Sequence, residues 1–160
     1  NFKIVGESGH VYGYGKSVWA MIDLDTRHPA DILAVRGGLI TEYIETEYPC
    51  PIEKSSRVKL SVGATPIRSI DTYYNDVDIN GHINSVKYIE HVLDLWDVAW
   101  YKQHCIKRFE IAYVAESHQG DRLHFYREGR DSDTDFDVRI TKSNRDSAEV
   151  EVCRCRVQFV

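Results

Sequence analysis

The chain lacks most of what would mark it for a special environment or a well-known chemistry. Across 160 residues no apolar run approaches the roughly 18 residues that a helix needs to cross a bilayer. The N-terminus has no basic-then-apolar signal pattern. Membrane insertion is therefore not expected, and a cytoplasmic location is. Charge of one sign is also scarce: 20 Lys and Arg stand against 25 Asp and Glu, the net charge is -5, and the aromatics are not interleaved with basic residues. That leaves no electrostatic case for nucleic-acid binding. The four cysteines are Cys50, Cys105, Cys153 and Cys155, whose one close spacing is a C-x-C pair within a strand-like run. This is neither a zinc pair nor a redox C-x-x-C, so they read as reduced structural thiols. No G-x-S-x-G elbow occurs, and Ser117 is adjacent to His118 in sequence. A serine nucleophile needs its histidine from elsewhere in the fold, so a serine hydrolase is discounted. An initiating methionine is missing too: the chain begins Asn1, Phe2, Lys3, Ile4, Val5, already in a strand pattern, as expected of a chain that starts in the middle of a domain.

What is present is an ordinary globular composition, 42% hydrophobic and 28% charged, enough for one sizeable core or two small ones. Residues 2–5 and roughly 11–24 predict a strand pair around a turn at Gly6 to His10. A similar layout recurs near the other end, where Phe136 to Ile140, a polar turn at 142–147 and a strand at 148–159 make a weak internal repeat. Between them Pro29, Gly37, Gly38, Pro49 and Pro51 punctuate a connector, with a domain boundary near 49–66. From Pro66 onward the pattern predicts a strand over 67–74, a polar turn, and a helix with apolar positions at Ile83, Val86, Ile89, Val92 or Leu93, Trp96 and Trp100. Lys87, Glu90, His91 and Asp94 fall elsewhere on that helix. Strands follow over 108–117, 122–127, 135–142 and 148–159. One helix among antiparallel strands is an α+β layout. The last strand changes phase, with Val150 and Val152 on one face and Cys153, Cys155, Val157 and Phe159 on the other, which predicts a bulge or a strong bend near Cys153.

The chemistry concentrates between Asp76 and Tyr88. Asp78, Asn80 and His82 supply an acceptor, an amide and a proton-transfer group within five residues, and Gly81 permits backbone conformations a side chain would forbid. Asp76, Asp78, Asn80 and Gly81 also reproduce the start of an EF-hand loop, but position twelve is Lys87 in place of a bidentate glutamate, so calcium is discounted. A second bland reading makes Asp76, Asp78 and Asn80 a turn and helix cap. Capping leaves His82 unexplained, because the positive end of a helix dipole favours a neutral ring that donates one hydrogen bond. Glu116, at the end of the first strand after the helix, could serve as a general base or be an exposed strand-end acid. His28, His91, His104 and His124 fit no metal spacing and read as surface or core-edge residues. No metal and no cofactor is expected.

The run Asp78-x-Asn80-x-His82-x-Asn84-x-x-Lys87-Tyr88 resembles the signature of the acyl-acyl carrier protein (ACP) thioesterases of plants and bacteria, its bacterial branch most closely. Residues 17–27 resemble the segment closing that family's first domain, and 108–120 the strand carrying its catalytic glutamate. The resemblance implies two fused hot-dog domains, each a long helix wrapped by antiparallel sheet. Residues 1–48 would be the last strands of the first hot dog, 49–66 a linker, and 67–160 a complete second, catalytic hot dog, the whole being a fragment of a longer protein. It implies hydrolysis of acyl-ACP to free fatty acid and carrier protein, ending fatty-acid synthesis, with catalytic roles for Asp78, Asn80, His82 and Glu116. Ser117 stands where plant members carry a cysteine, which favours an attacking water over a covalent thiol. The implied partner is the acidic acyl carrier protein with its fatty acyl chain, for which Lys102, His104, Lys107 and Arg108 are the local basic candidates. A lone second hot dog would expose sheet surface, leaving a homodimer open. The alternatives are a hot-dog acyl-CoA thioesterase and a non-catalytic acyl-binding hot dog.

Overall fold

Alternating apolar and polar side chains set most of the strands, and the capping residues between them set where the helices begin. A computed structural model describes residues 1–26, 28–44, 47–49, 51–144 and 148–160. Arg27, Cys50 and the predicted turn residues 145–147 lie outside the described residues. The chain forms two compact units, Asn1–Lys54 and Ser55–Val160.

In the first unit, β1 (Phe2–Val5) pairs antiparallel with β2 (Val11–Gly15), from Phe2 opposite Gly15 to Val5 opposite Val11. The turn closes through Gly6 N–H to His10 O at 2.8 Å and Gly9 N–H to Gly6 O at 2.9 Å. Gly9 takes φ +82°, a left-handed conformation that suits glycine. β2 ends at Gly15, short of the expected residue 24. Val18 and Trp19 beyond it are 90% and 86% exposed. The predicted connector contains 3-10 turns over Ile32–Tyr43, broken at Val35 to Gly38, where Arg36, Gly37 and Gly38 all have positive φ.

The second unit is one five-stranded antiparallel sheet with a helix against it. Its strands are β3 (Arg68–Asp71), β4 (Ile106–Tyr113), β5 (Arg122–Gly129), β6 (Asp135–Ser143) and β7 (Val150–Phe159), in spatial order β3-β5-β6-β7-β4. Period-two alternation gives the sheet two different faces. Leu123 and Phe125 of β5, Val138 and Ile140 of β6, and Cys153, Cys155, Val157 and Phe159 of β7 form one buried cluster with Tyr88, Val92 and Trp96. Burial of each such large apolar side chain contributes about 1.5–3 kcal/mol.

The other face is charged and carries an extended strap. Ser56 N–H donates to Glu110 Oε2 at 2.6 Å, Lys59 N–H to Asp137 Oδ2 at 3.0 Å and Ser61 N–H to Glu128 Oε2 at 2.8 Å. Arg156 pairs with Asp135 at 2.6 Å beside the strap's start and also reaches Ser56 Oγ.

The helix is shorter and differently turned than its sequence predicts. α1 (Ser85–Leu93) ends before Asp94, and Asp97 caps a separate turn, α2 (Val98–Tyr101), by accepting from Trp100 N–H at 2.8 Å. The buried stripe runs through Tyr88, Val92 and Trp96, while Val86 is 53% exposed. His91, expected among the polar positions, sits half inside, its ring edge against Phe125 and its Nε2 3.9 Å from Asp76 Oδ1.

The predicted bulge is present. Ile140 pairs with Cys153 but Thr141 with Glu151, so Val152 is the extra residue. Both Val152 and Cys153 are buried, which is the phase change read from the sequence. Val150, placed on the Val152 face, is 45% exposed instead, because the ladder begins there.

Candidate active site

Two loops at one end of the sheet carry the site, and each is built from its own short-range chemistry. The first runs from Thr72 to Asn84. After a 3-10 turn at Tyr74–Asp76, Val77 bridges Ile83, and Asp78 N–H reaches His82 O at 2.8 Å. Inside that loop Asp78 Oδ1 accepts from Asn80 N–H at 2.8 Å and His82 N–H at 3.2 Å, the local turn for which a short carboxylate is suited. Gly81 supplies φ +82°. Asp76 belongs elsewhere: it accepts from Tyr73 N–H at 2.8 Å and faces His91. The helix cap is Asn84, whose Oδ1 accepts from Val86 N–H at 2.9 Å. Of the three residues in the capping reading, then, Asp78 and Asp76 build turns and none caps α1. The Asn80 side chain is exposed and has no hydrogen bond among the described residues.

The second loop leaves β4 after Tyr113. Val114 N–H and Ala115 N–H converge on the carbonyl of the bulged Val152, at 2.8 and 3.4 Å. The bulge thus turns the strand end outward and delivers Glu116, a recurrent use of bulges beside sites. Behind it Thr72, 3% exposed, ties the loop: its hydroxyl donates to Asp121 O at 2.7 Å, with His118 O 3.0 Å away, and accepts from Gly120 N–H at 3.0 Å. Asp121 Oδ2 accepts from His118 N–H at 3.0 Å and from Lys142 Nζ at 3.2 Å.

Ile83 N–H to Ser117 O at 2.8 Å joins the two loops. It sets His82 Nε2 3.3 Å from Glu116 Oε2, with side chains 27% and 50% exposed. The His118 ring packs edge-on against His82, centroids 5.1 Å apart. His82 and Glu116, 34 residues apart in sequence, are therefore direct neighbours, and Asp78 holds the main chain of His82 from below. His118 is the residue that sequence reasoning missed; its one signal was its place two residues after Glu116. His82, Glu116 and His118 are also close enough to share one metal ion.

Ser117 is fully buried, and its side chain lies beside the buried Tyr88 phenol. Burial pushes the Tyr88 phenol up to about 12. Neither hydroxyl reaches solvent as a nucleophile. Cys153 and Cys155, free thiols on the inner face, are likewise held protonated by burial, Cys155 at about 12. Of the basic candidates, Lys102 and Lys107 are exposed. Arg108 pairs with Glu110 at 2.7 Å, and His104 stacks on Trp100 with centroids 3.8 Å apart.

Residues 61–159 match the family model for the acyl-ACP thioesterase C-terminal domain. The chain belongs to the acyl-ACP thioesterase family. Among its relatives, a chloroplastic palmitoyl-acyl carrier protein thioesterase of Gossypium hirsutum is 26% identical over 141 residues, 86% of this chain and 34% of that protein. An acyl-ACP thioesterase structure from Bacteroides thetaiotaomicron is 44% identical, with a TM-score of 0.85 over 99% of this chain and 60% of that one. The 12:0-ACP thioesterase of Umbellularia californica has the same fold, at 22% identity and a TM-score of 0.67 over 87% of this chain and 52% of that one. The fold is the α+β hot dog, and this family member spans a third of its curated relative and three-fifths of the Bacteroides chain. Among the described residues no helix is long and apolar enough to cross a membrane.

Proposed function

We propose that the protein hydrolyses acyl-ACP thioesters to free fatty acid and carrier protein, in the cytoplasm and as the terminating step of fatty-acid synthesis. Residues 1–48 would be the last strands of a first hot dog, 49–66 the linker and 67–160 the second, catalytic hot dog. The observation that carries the reading is the 3.3 Å approach of Glu116 Oε2 to His82 Nε2 at the mouth of a loop ordered by Asp78.

Glu116, directly or through a relay, removes a proton as water attacks the thioester carbonyl carbon. Asn80, whose amide is exposed, and His82 position that water or donate to the carbonyl oxygen as it gains charge. A preorganised donor of that kind is worth about 100- to 1,000-fold in rate. The C–S bond then breaks, and the carrier's thiolate takes up a proton. Asp78 orients the set through the backbone of residues 80 and 82, and the buried Ser117 leaves the acyl group no covalent resting place on this loop.

The test is hydrolysis of acyl-ACP by full-length protein carrying Asp78→Ala, His82→Ala or Glu116→Gln, each confirmed to fold. Losses of about 100-fold or more are expected, the size that removal of a single preorganised donor produces. Wild-type turnover in all three refutes the assignment. Equal turnover of acyl-CoA and acyl-ACP would favour the general acyl-CoA thioesterase reading, and retention of acyl thioester without release of thiol a binding role.

A further inference from the structure

His82, Glu116 and His118 bring three metal-ligating atoms, one from each side chain, within 4.8 Å of one another. Of these, His82 Nε2 and Glu116 Oε2 are 3.3 Å apart. That is the ligand-to-ligand edge of a tetrahedron whose metal bonds are about 2.0–2.1 Å, the length zinc makes to nitrogen and carboxylate oxygen. Two imidazoles with one carboxylate suit zinc-class cations, whereas magnesium and calcium take shells of oxygen. Both loops are pinned behind their ligands. The Asp78 carboxylate holds His82 N–H, Asp121 holds His118 N–H, and Ile83 N–H joins the loops at Ser117 O. His118 is exposed, and its ring packs edge-on to His82 beside the pair.

We propose that His82, Glu116 and His118 form a binding site for a single zinc-class divalent cation, and that its occupancy shuts the hydrolytic centre. The cation takes the imidazole lone pair of His82 and a carboxylate oxygen of Glu116, the groups a water-activating reaction needs free. Only this second half depends on the hydrolytic reading; binding stands without it.

The test is calorimetric titration of metal-free full-length protein with zinc chloride near neutral pH, alongside acyl-ACP hydrolysis at each zinc concentration. One ion should bind per chain, at least about tenfold more weakly in His118→Ala and in Glu116→Gln. Hydrolysis should fall along the same occupancy curve and return on adding a chelator. A thermal melt confirms that the variants fold, since both altered side chains are exposed. Absence of stoichiometric binding, or equally tight binding by folded His118→Ala, overturns the site. Binding with unchanged or accelerated turnover overturns the blockade, acceleration being the outcome if the ion instead activates its own water. A protein that binds zinc but hydrolyses nothing without it keeps the site and loses the hydrolytic reading.

Discussion

Thr72→Val would show how much of the site is held from behind. Thr72 is buried, and its hydroxyl makes two hydrogen bonds that tie Gly120 and Asp121 under the loop of Glu116. Valine keeps the volume and the methyl group but loses both bonds. At about 0.5–1.5 kcal/mol each, the loss amounts to about 1–3 kcal/mol. Part of it is cushioned, because Thr72 N–H still reaches Asp121 O at 3.1 Å and Gly120 N–H lies 3.4 Å from Thr72 O. Thr72→Ser reverses the perturbation: both bonds stay and one buried methyl goes, at about 0.8 kcal/mol. The valine variant therefore loses more stability than the serine variant, and only the valine variant frees the loop. In urea denaturation both should unfold early, the valine variant earlier. In steady-state hydrolysis of acyl-ACP the valine variant should lose about 10- to 100-fold in kcat, since displacement on the order of 1 Å can cost that much, with KM nearly unchanged. The serine variant should stay within about threefold of wild type by the same geometric criterion. A serine variant as slow as the valine one, or a valine variant with wild-type kcat, would refute positioning by Thr72.

Three further outcomes are expected. Burial holds the His91 imidazole below its ordinary value of 6.5; Asp76 opposes this most among Asp76, Glu90 and Asp94, while Arg68 adds to it, and the ring lies against Phe125. The unfolded chain therefore takes up the proton first as pH falls. Stability should be full above about 6.5, decline below it toward the folded value and then level off, and His91→Gln should flatten that slope in denaturation curves; an unchanged slope would assign it to another group. Ser117→Ala removes a buried hydroxyl beside the Tyr88 phenol, so stability should fall by no more than about 1 kcal/mol and hydrolysis should stay within about twofold, whereas loss of turnover would revive a serine nucleophile. Lys102→Glu with Lys107→Glu should raise KM for acyl-ACP severalfold and leave that for a simple acyl thioester alone, because exposed charges act mainly on encounter with an acidic partner; equal effects on both would remove the lysines from docking.

Much of the second unit was legible because its signals are local and periodic. Leu123, Phe125, Val138 and Ile140 alternate as the pleat requires, and the phase change at Val152 and Cys153 marked a bulge before any pairing was known. The helix was read less well. Capping by Asn84 and Asp97 broke it into two, and burial of Tyr88 in place of Val86 rotated its stripe, because a tyrosine's hydroxyl keeps it out of an apolar pattern although its ring buries like one. The approach of His82 to Glu116 follows from one long-range bond, Ile83 N–H to Ser117 O, which no local pattern announces. The same is true of His118, whose relevance appears only when the loops meet.

The strap over residues 55–61 is held at three points by carboxylates of the sheet. Glu110, Asp137 and Glu128 capture main-chain N–H groups of Ser56, Lys59 and Ser61, which excludes proline from those positions. Ser56 and Ser61 add their hydroxyls to Glu110 and Glu128 at 3.0 Å each, and Arg156 also reaches Ser56 Oγ, so those two positions are read as serine as well. The residues between the three points carry none of these bonds and can drift in sequence while the path stays constant. Libraries that randomise residues 57, 58 and 60, which supply none of these bonds, should reshape this surface while the three attachments stay in place.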